Sequence, residues 1–272
     1  MKFRRSALEF LVPRRVGFLS VCRIFTFSCA ALLSLVCRCH AAELTDVNGD
    51  GQIMVLAFGD SITAGVGSSF GPSDFVETVE GAAISTSYPA LLSGLLSVRV
   101  ANSGIPGEEF TSEGFYRFVD EVRQNAADAV VFLEGANDAV FLVSSNEYQE
   151  KLQKLINAMH VLGVQFVALT QTVPCCDHSS LEPFTRDFSS RVRLLGALND
   201  IDVVDVERAW DMRCPDSAQC PLINRPEGLH PNRRGYEFIA QQVAEGFGFE
   251  VSVETPTPTP SQEGENSESM SS

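Results

Sequence analysis

The chain has 272 residues, 44% of them hydrophobic, and carries 35 Asp+Glu against 20 Lys+Arg for a formal net charge of −15. That length suits a leader and one domain, and the apolar share is enough to build a core. Nucleic acid and anionic membrane surfaces select basic patches, so neither is expected as a partner.

Residues 1–42 differ from the rest. Lys2, Arg4, Arg5, Arg14, Arg15 and Arg23 precede the 13-residue apolar run Ile24–Val36, and small residues follow at Ala41 and Ala42. A basic region, a short apolar stretch and a small-residue cleavage site make a secretory signal. The stretch is shorter than the ~20 residues that span a bilayer. A signal peptide over 1–42, cleaved near residue 42, is therefore expected, with export to the periplasm or medium. A signal anchored in the membrane is the alternative, because Arg38 and the long basic region are atypical. Bulky Val36 argues against a lipid anchor on Cys37. Cleavage would leave 13 basic and 34 acidic residues, a net charge of −21.

Asp46-Val47-Asn48-Gly49-Asp50-Gly51 begins like a calcium loop, but its twelfth position is Ala57 where a bidentate acid is needed. It reads as a polar turn entering a strand. Apolar runs predict strands near 53–58, 98–101, 128–134, 164–170 and 202–205. Tyr148, Leu152, Leu155, Ile156, Met159 and Leu162 recur at helical spacing, with His160 off that stripe and solvated. Pro231 and Asn232 start a last helix, striped by Tyr236, Ile239, Val243 and Phe247. Such alternation predicts an α/β fold, a parallel sheet with helices on both faces. Residues 66–87 and 171–190 read as loops beside the strand ends. The Thr-Pro repeats and Ser/Glu of 253–272 predict a disordered tail, which leaves a domain over 43–252.

Cys22, Cys29, Cys37 and Cys39 fall in the leader, and Cys175, Cys176, Cys214 and Cys220 remain. Four cysteines allow three pairings. Cys214 and Cys220 enclose a short polar loop, and a disulfide is expected there, with Cys175 and Cys176 paired to each other or free. A zinc site on Cys175, Cys176 and His178 is not expected, because adjacent cysteines are poorly spaced as ligands.

Chemistry concentrates at the strand exits. Gly59-Asp60-Ser61 ends the first strand, where open α/β sheets hold their ligands. A serine there is exposed and close to a helix N-terminus, as a nucleophile requires. Ser61 could equally do no more than cap the next helix. Asn102-Ser103-Gly104 follows the second strand, Gly135-Ala136-Asn137-Asp138 the third, and Glu227-Gly228-Leu229-His230-Pro231-Asn232 comes late.

These four blocks, in this order over roughly residues 53–246, resemble the SGNH, or GDSL-type, hydrolase family. The resemblance implies a flavodoxin-like three-layer sandwich, a five-stranded parallel sheet with helices on both faces. It implies Ser61 as nucleophile, His230 as general base, and an oxyanion hole from the N–H groups of Ser61 and Gly104 with the side chain of Asn137. The family has Asp three residues before the histidine to hold the imidazole in its tautomer, and Glu227, one methylene longer, stands in that place as the expected third member of the triad. Gly67-Ser68-Ser69-Phe70-Gly71 matches a G-x-S-x-G elbow but follows no strand, which disfavours Ser69.

The resulting expectation is a serine esterase that works through an acyl-enzyme without cofactor or metal. Ser87-Tyr88-Pro89-Ala90-Leu91-Leu92 and Gly104-Ile105-Pro106-Gly107 resemble the lysophospholipase and arylesterase branch. A carbohydrate O-deacetylase and a binding module that has lost turnover are the alternatives. The expected substrate is a small-molecule, lipid or glycan ester. No protein partner is inferred, and a monomer is expected.

Overall fold

The computed structural model describes residues 43–68 and 86–250. The expected signal peptide, Ser69 with most of the 66–87 loop, and the expected tail lie outside the described residues. Five parallel strands, β1 (Met54–Gly59), β2 (Arg99–Gly104), β3 (Ala129–Leu133), β4 (Gln165–Leu169) and β5 (Asp202–Val204), pair in the order β2-β1-β3-β4-β5. All five expected strands are present. β3 is apolar and buried along its whole length, as a central strand covered on both faces must be.

Parallel strands need long crossovers, and these are helical here. α1 (Ser61–Ala64) and α2 (Tyr88–Leu96) join β1 to β2, and α3 (Phe115–Gln124) joins β2 to β3. α4 (Ala136–Val140) and α5 (Ser145–Leu162) lead to β4, and α6 (Glu182–Asn199) leads to β5. α7 (Val206–Arg213) and α8 (Arg233–Gly246) complete the described chain. α2 packs on α8, and α5 packs on α3 and α6, which gives two helical layers about the sheet. The chain leaves β1 toward β2 and later returns to the other side of β1 for β3. The carboxyl ends of β1 and β3 therefore form the topological switch point, where such sheets open a crevice.

Phe58 of β1 stands in register with Phe132 of β3, their rings stacked 6.2 Å apart. Phe118 of α3 meets Phe58 edge-on at 4.9 Å, and Tyr148 of α5 stacks on Phe188 of α6 at 4.5 Å. These contacts fasten one helical layer to the sheet with large apolar area and favourable ring geometry. The stripe Tyr148, Leu152, Leu155, Ile156, Met159 is buried, as its spacing predicts. Asn232 caps α8 by accepting from Gly235 N–H. The 171–190 loop is corrected: from Glu182 onward it is α6, started by Pro183 in the first turn and buried through Thr185, Phe188 and Ser189.

The polar turn at 46–51 satisfies itself, with the Asp46 carboxylate accepting from Gly49 and Gly51 N–H. Asp128, just before β3, accepts from Val47, Asn48 and Met54 and pins that turn to the sheet. Cys214 and Cys220 come together with Cα atoms 4.9 Å apart, while Cys175 and Cys176 are free thiols. Among the described residues no helix is long and apolar enough to cross a membrane.

Candidate active site

β1 ends in a turn with no room for another side chain at Gly59, where a Cβ would sit 2.3 Å from Leu133 O. Asp60 then caps α1, accepting from Ile62 N–H at 2.8 Å. Burial pushes the Asp60 carboxyl up to about 6, against the pull of the Ile62 and Ala136 N–H groups and of nearby His230. The cap sets Ser61 at the first helical position. Gly65, at a φ of 96°, ends the helix one turn later.

The late loop is closed on itself by an antiparallel bridge between Ile223 and Pro231. Asn224 locks it further, its N–H donating to His230 O at 3.0 Å and its side chain to Gly67, His230 and Pro231 carbonyls. Inside this loop, His230 Nε2 lies 2.9 Å from Ser61 Oγ and His230 Nδ1 lies 2.7 Å from Glu227 Oε1. A carboxylate only accepts, so Nδ1 carries the proton and Nε2 is the unprotonated nitrogen facing the hydroxyl. The other carboxylate oxygen, Oε2, accepts from Leu229 N–H at 3.0 Å and His230 N–H at 2.9 Å. Burial alone would raise the Glu227 pKa, but its bonds to His230 and the two N–H groups hold it below the usual value. The extra methylene of Glu is thus absorbed by folding the side chain back over its own loop.

Asn137 lies in the first turn of α4, and its Nδ2 donates to Glu108 O at 2.8 Å. An amide nitrogen carries two hydrogens, so one remains for a ligand. Asp138 clamps the turn after β2 to α4 by accepting from Phe110 and Thr111 N–H. The Ser61 N–H donates to no described residue.

The Gly104 N–H, expected in the oxyanion hole, is already engaged. On edge strand β2, alternate N–H groups face β1, and Ile105 N–H already reaches Gly59 O at 2.9 Å. The Gly104 N–H faces the other way, to Asn102 Oδ1 at 3.0 Å. Glycine is needed there for packing, since a Cβ would lie 2.1 Å from Ala64 N. Gly107, later in the same turn, has a φ of 84°, open space about it, and an N–H donated to no described residue.

Sequence reasoning missed the supports beneath these groups. Arg117 of α3 donates to both Glu108 carboxylate oxygens, to Ser103 Oγ at 2.7 Å, to Ser103 O at 2.9 Å and to Gly59 O at 3.4 Å. Its guanidinium also lies 3.9 Å from the centre of the Phe58 ring. One side chain thereby joins the ends of β1 and β2 to the segment that orients Asn137. Nothing in the run Phe115-Tyr116-Arg117-Phe118 marks Arg117 except a basic residue among aromatics. Asp60 and Asp138 lie inside the Gly59–Ser61 and Gly135–Asp138 blocks, where nothing in the sequence separates a buried support from a surface acid.

The model of the GDSL-like lipase/acylhydrolase family matches residues 57–238. No curated protein matches the chain. Among solved structures, a lipase/acylhydrolase from Enterococcus faecalis aligns with a TM-score of 0.58 at 22% identity, covering 71% of this chain and 94% of that one. An acetylxylan esterase from Geobacillus stearothermophilus aligns with a TM-score of 0.60 at 21% identity, covering 73% and 95%. An α/β hydrolase from the metagenome of Lake Arreo, Spain, gives 0.59 at 23% identity, covering 73% and 95%. At these identities the likeness is one of fold.

Proposed function

The chain belongs to the GDSL-like lipase/acylhydrolase family, and from that premise we propose that it is an exported serine esterase working through an acyl-enzyme. The observation that carries this reading is the continuous relay from Ser61 Oγ through His230 to Glu227, at 2.9 Å and 2.7 Å. Ser61 Oγ attacks the ester carbonyl as its proton passes to His230 Nε2. Glu227 holds the imidazole in the required tautomer and stabilises the imidazolium that forms. The intermediate's negative oxygen is held by the Ser61 N–H, the free hydrogen of Asn137 Nδ2 and, in place of Gly104, the N–H of Gly107. The imidazolium then protonates the leaving alcohol. Water, deprotonated by the same nitrogen, cleaves the acyl-enzyme and regenerates Ser61.

A lipid or aryl ester is the substrate class favoured here. Val140, Phe141 and Leu142, directly after the Asn137 turn, are 45%, 62% and 66% exposed, and Ile105 beside Gly107 is 44% exposed. Apolar groups held out beside the reacting centre suit an acyl chain or ring. Removal of acetyl groups from a carbohydrate is the second reading, and the acetylxylan esterase among the similar structures supports it. Export rests on the leader pattern of residues 1–42, and a Cys214–Cys220 disulfide suits an exported domain.

A panel of p-nitrophenyl esters from acetate to decanoate, with lysophosphatidylcholine and acetylated xylo-oligosaccharide, separates these readings. Higher kcat/KM on the longer acyl chains and on lysophosphatidylcholine is expected. Turnover confined to acetyl groups would select the deacetylase. No turnover on any ester, with Ser61→Ala unchanged from wild type, would select a binding module.

A further inference from the structure

A second histidine touches the residue that holds the first. The turn Cys175–His178, between β4 and α6, lies along the loop that carries Glu227. Cys175 N–H donates to Gly228 O at 2.8 Å, and Asp177 N–H donates to Pro226 O at 3.2 Å. Between these two backbone bonds, His178 Nδ1 lies 2.6 Å from the main-chain oxygen of Glu227. A carbonyl only accepts, so Nδ1 is the protonated nitrogen and the imidazole is the donor.

The geometry on both sides is built for this contact. Cys176 takes a left-handed φ of 56°, and His178 N–H returns to Cys175 O at 2.8 Å, which folds the turn back and brings the imidazole to the loop. On the opposite side Gly228 has a φ of 78°, and a Cβ there would lie 2.1 Å from Cys175 O, so the two backbones meet with no side chain between them. Glycine is the residue about which a chain rotates most freely. The Glu227–Gly228 peptide is held at its N–H by Asn224 O at 2.8 Å and at its carbonyl by the imidazole, and the Gly228 carbonyl is held by Cys175 N–H.

Glu227 needs such a restraint more than an aspartate would. It has one more torsion, and its carboxylate must meet His230 Nδ1, His230 N–H and Leu229 N–H at once. If its backbone turns, all three contacts loosen together, and the imidazole loses the partner that orients it. The His178 ring is itself only 3.9 Å from Glu227 Oε1, and about a third of its side chain remains exposed.

We propose that His178 is a positioning residue for the catalytic acid: its Nδ1–H holds the main-chain oxygen of Glu227 and so sets the carboxylate that orients His230. This rests on Glu227 being the acid of the relay.

The test compares His178→Ala, His178→Asn and His178→Phe in the full-length protein, with kcat counted per site titrated by a fluorophosphonate. Asn places an amide N–H2 where Nδ1 stands, whereas Phe fills the volume without a donor. Loss of the donor is expected to lower kcat about tenfold, equivalent to about 1.4 kcal/mol of barrier, with KM within about twofold. His178→Asn is expected to recover to within about threefold of wild type, and His178→Phe to stay as slow as Ala. Should His178→Ala fail to fold, the Asn and Phe pair reads the same contrast. A wild-type kcat in His178→Ala or His178→Phe, or Asn no faster than Phe, would overturn the proposal. Ser61→Ala and Glu227→Gln run alongside. If both are inactive while the His178 variants are normal, only the positioning role falls. If Ser61→Ala retains turnover, the relay falls and the positioning role with it.

Discussion

At the scale of single residues, Glu227 and the glycines after β2 carry the sharpest consequences. Glu227→Gln keeps the shape but removes the charge that stabilises the imidazolium. Its kcat is expected to fall by about 10³–10⁴, as for the acid of other serine triads. Glu227→Asp keeps the charge but draws back from His230 by one methylene, in a loop already closed by Asn224 and the Ile223–Pro231 bridge. A misplacement of that size costs about 10²-fold, so Asp is expected to be intermediate. If Glu227→Gln loses less than about tenfold, Glu227 is not the acid. Gly104→Ala is expected to fail in thermal denaturation, because its Cβ would strike the Ala64 backbone. Gly107→Ala has open space, so it is expected to fold with a modest loss of Tm and a lower kcat. The reverse pattern would return the oxyanion role to Gly104. Ser61, Asn137, Glu227 and His230 stand out as candidates in the sequence because each sits in a short block of special residues, and the contacts of Ser61, His230 and Glu227 with one another needed the fold. The direction of an N–H on an edge strand has no sequence signature, so the sequence alone points to Gly104 and not to Gly107.

At the scale of elements, the strands and the long helices were legible because burial imposes a period, two-sided for β1 and β3 and one-sided for α5 and α8. The first turns of α6 look like loop in the sequence because Pro174, the adjacent cysteines and Pro183 resemble loop punctuation. Pro183 in fact begins the helix, where a missing N–H costs nothing. Arg117 has no period or motif to announce it, yet it joins β1, β2 and the Glu108 segment. Arg117→Met leaves the Glu108 carboxylate buried without its cation. Losing one partner of a buried pair costs about 3–5 kcal/mol, which for a domain of this size lowers Tm by roughly 10 °C. The double substitution Arg117→Met with Glu108→Gln is expected to recover part of that loss in the same melts, since no charge is left unpaired. Additive losses would mean that the two side chains act independently.

At the scale of the whole molecule, a net charge of −15 suggests acids spread over the surface. The fold instead buries Asp60, Glu108, Glu134 and Asp138 together beneath the site, with Arg117 bonded to Glu108 among them. Glu134 is fully buried, no N–H or hydroxyl donor among the described residues reaches its carboxylate oxygens, and the Glu108 carboxyl stands close enough to share a proton with it. Burial first, then the charges of Asp60, Glu108 and Asp138, push its pKa well above 4.5. The folded protein therefore holds this proton more tightly than the unfolded chain does. The stability it lends is full below about pH 4.5 and is lost as pH rises toward the folded pKa. Glu134→Gln is neutral throughout, so its Tm relative to wild type is expected to rise as the pH is raised above about 4.5. A difference independent of pH would mean that Glu134 is not held protonated. The proposed function depends on the pairing of Ser61 with His230 across 169 positions of sequence. Covalent labelling tests it most directly: the protein is treated with a fluorophosphonate and the modified peptide is mapped by mass spectrometry. One adduct per chain on Ser61 is expected, abolished in Ser61→Ala and strongly slowed in His230→Ala. An adduct on Ser69, or labelling of Ser61 at an undiminished rate without His230, would contradict it.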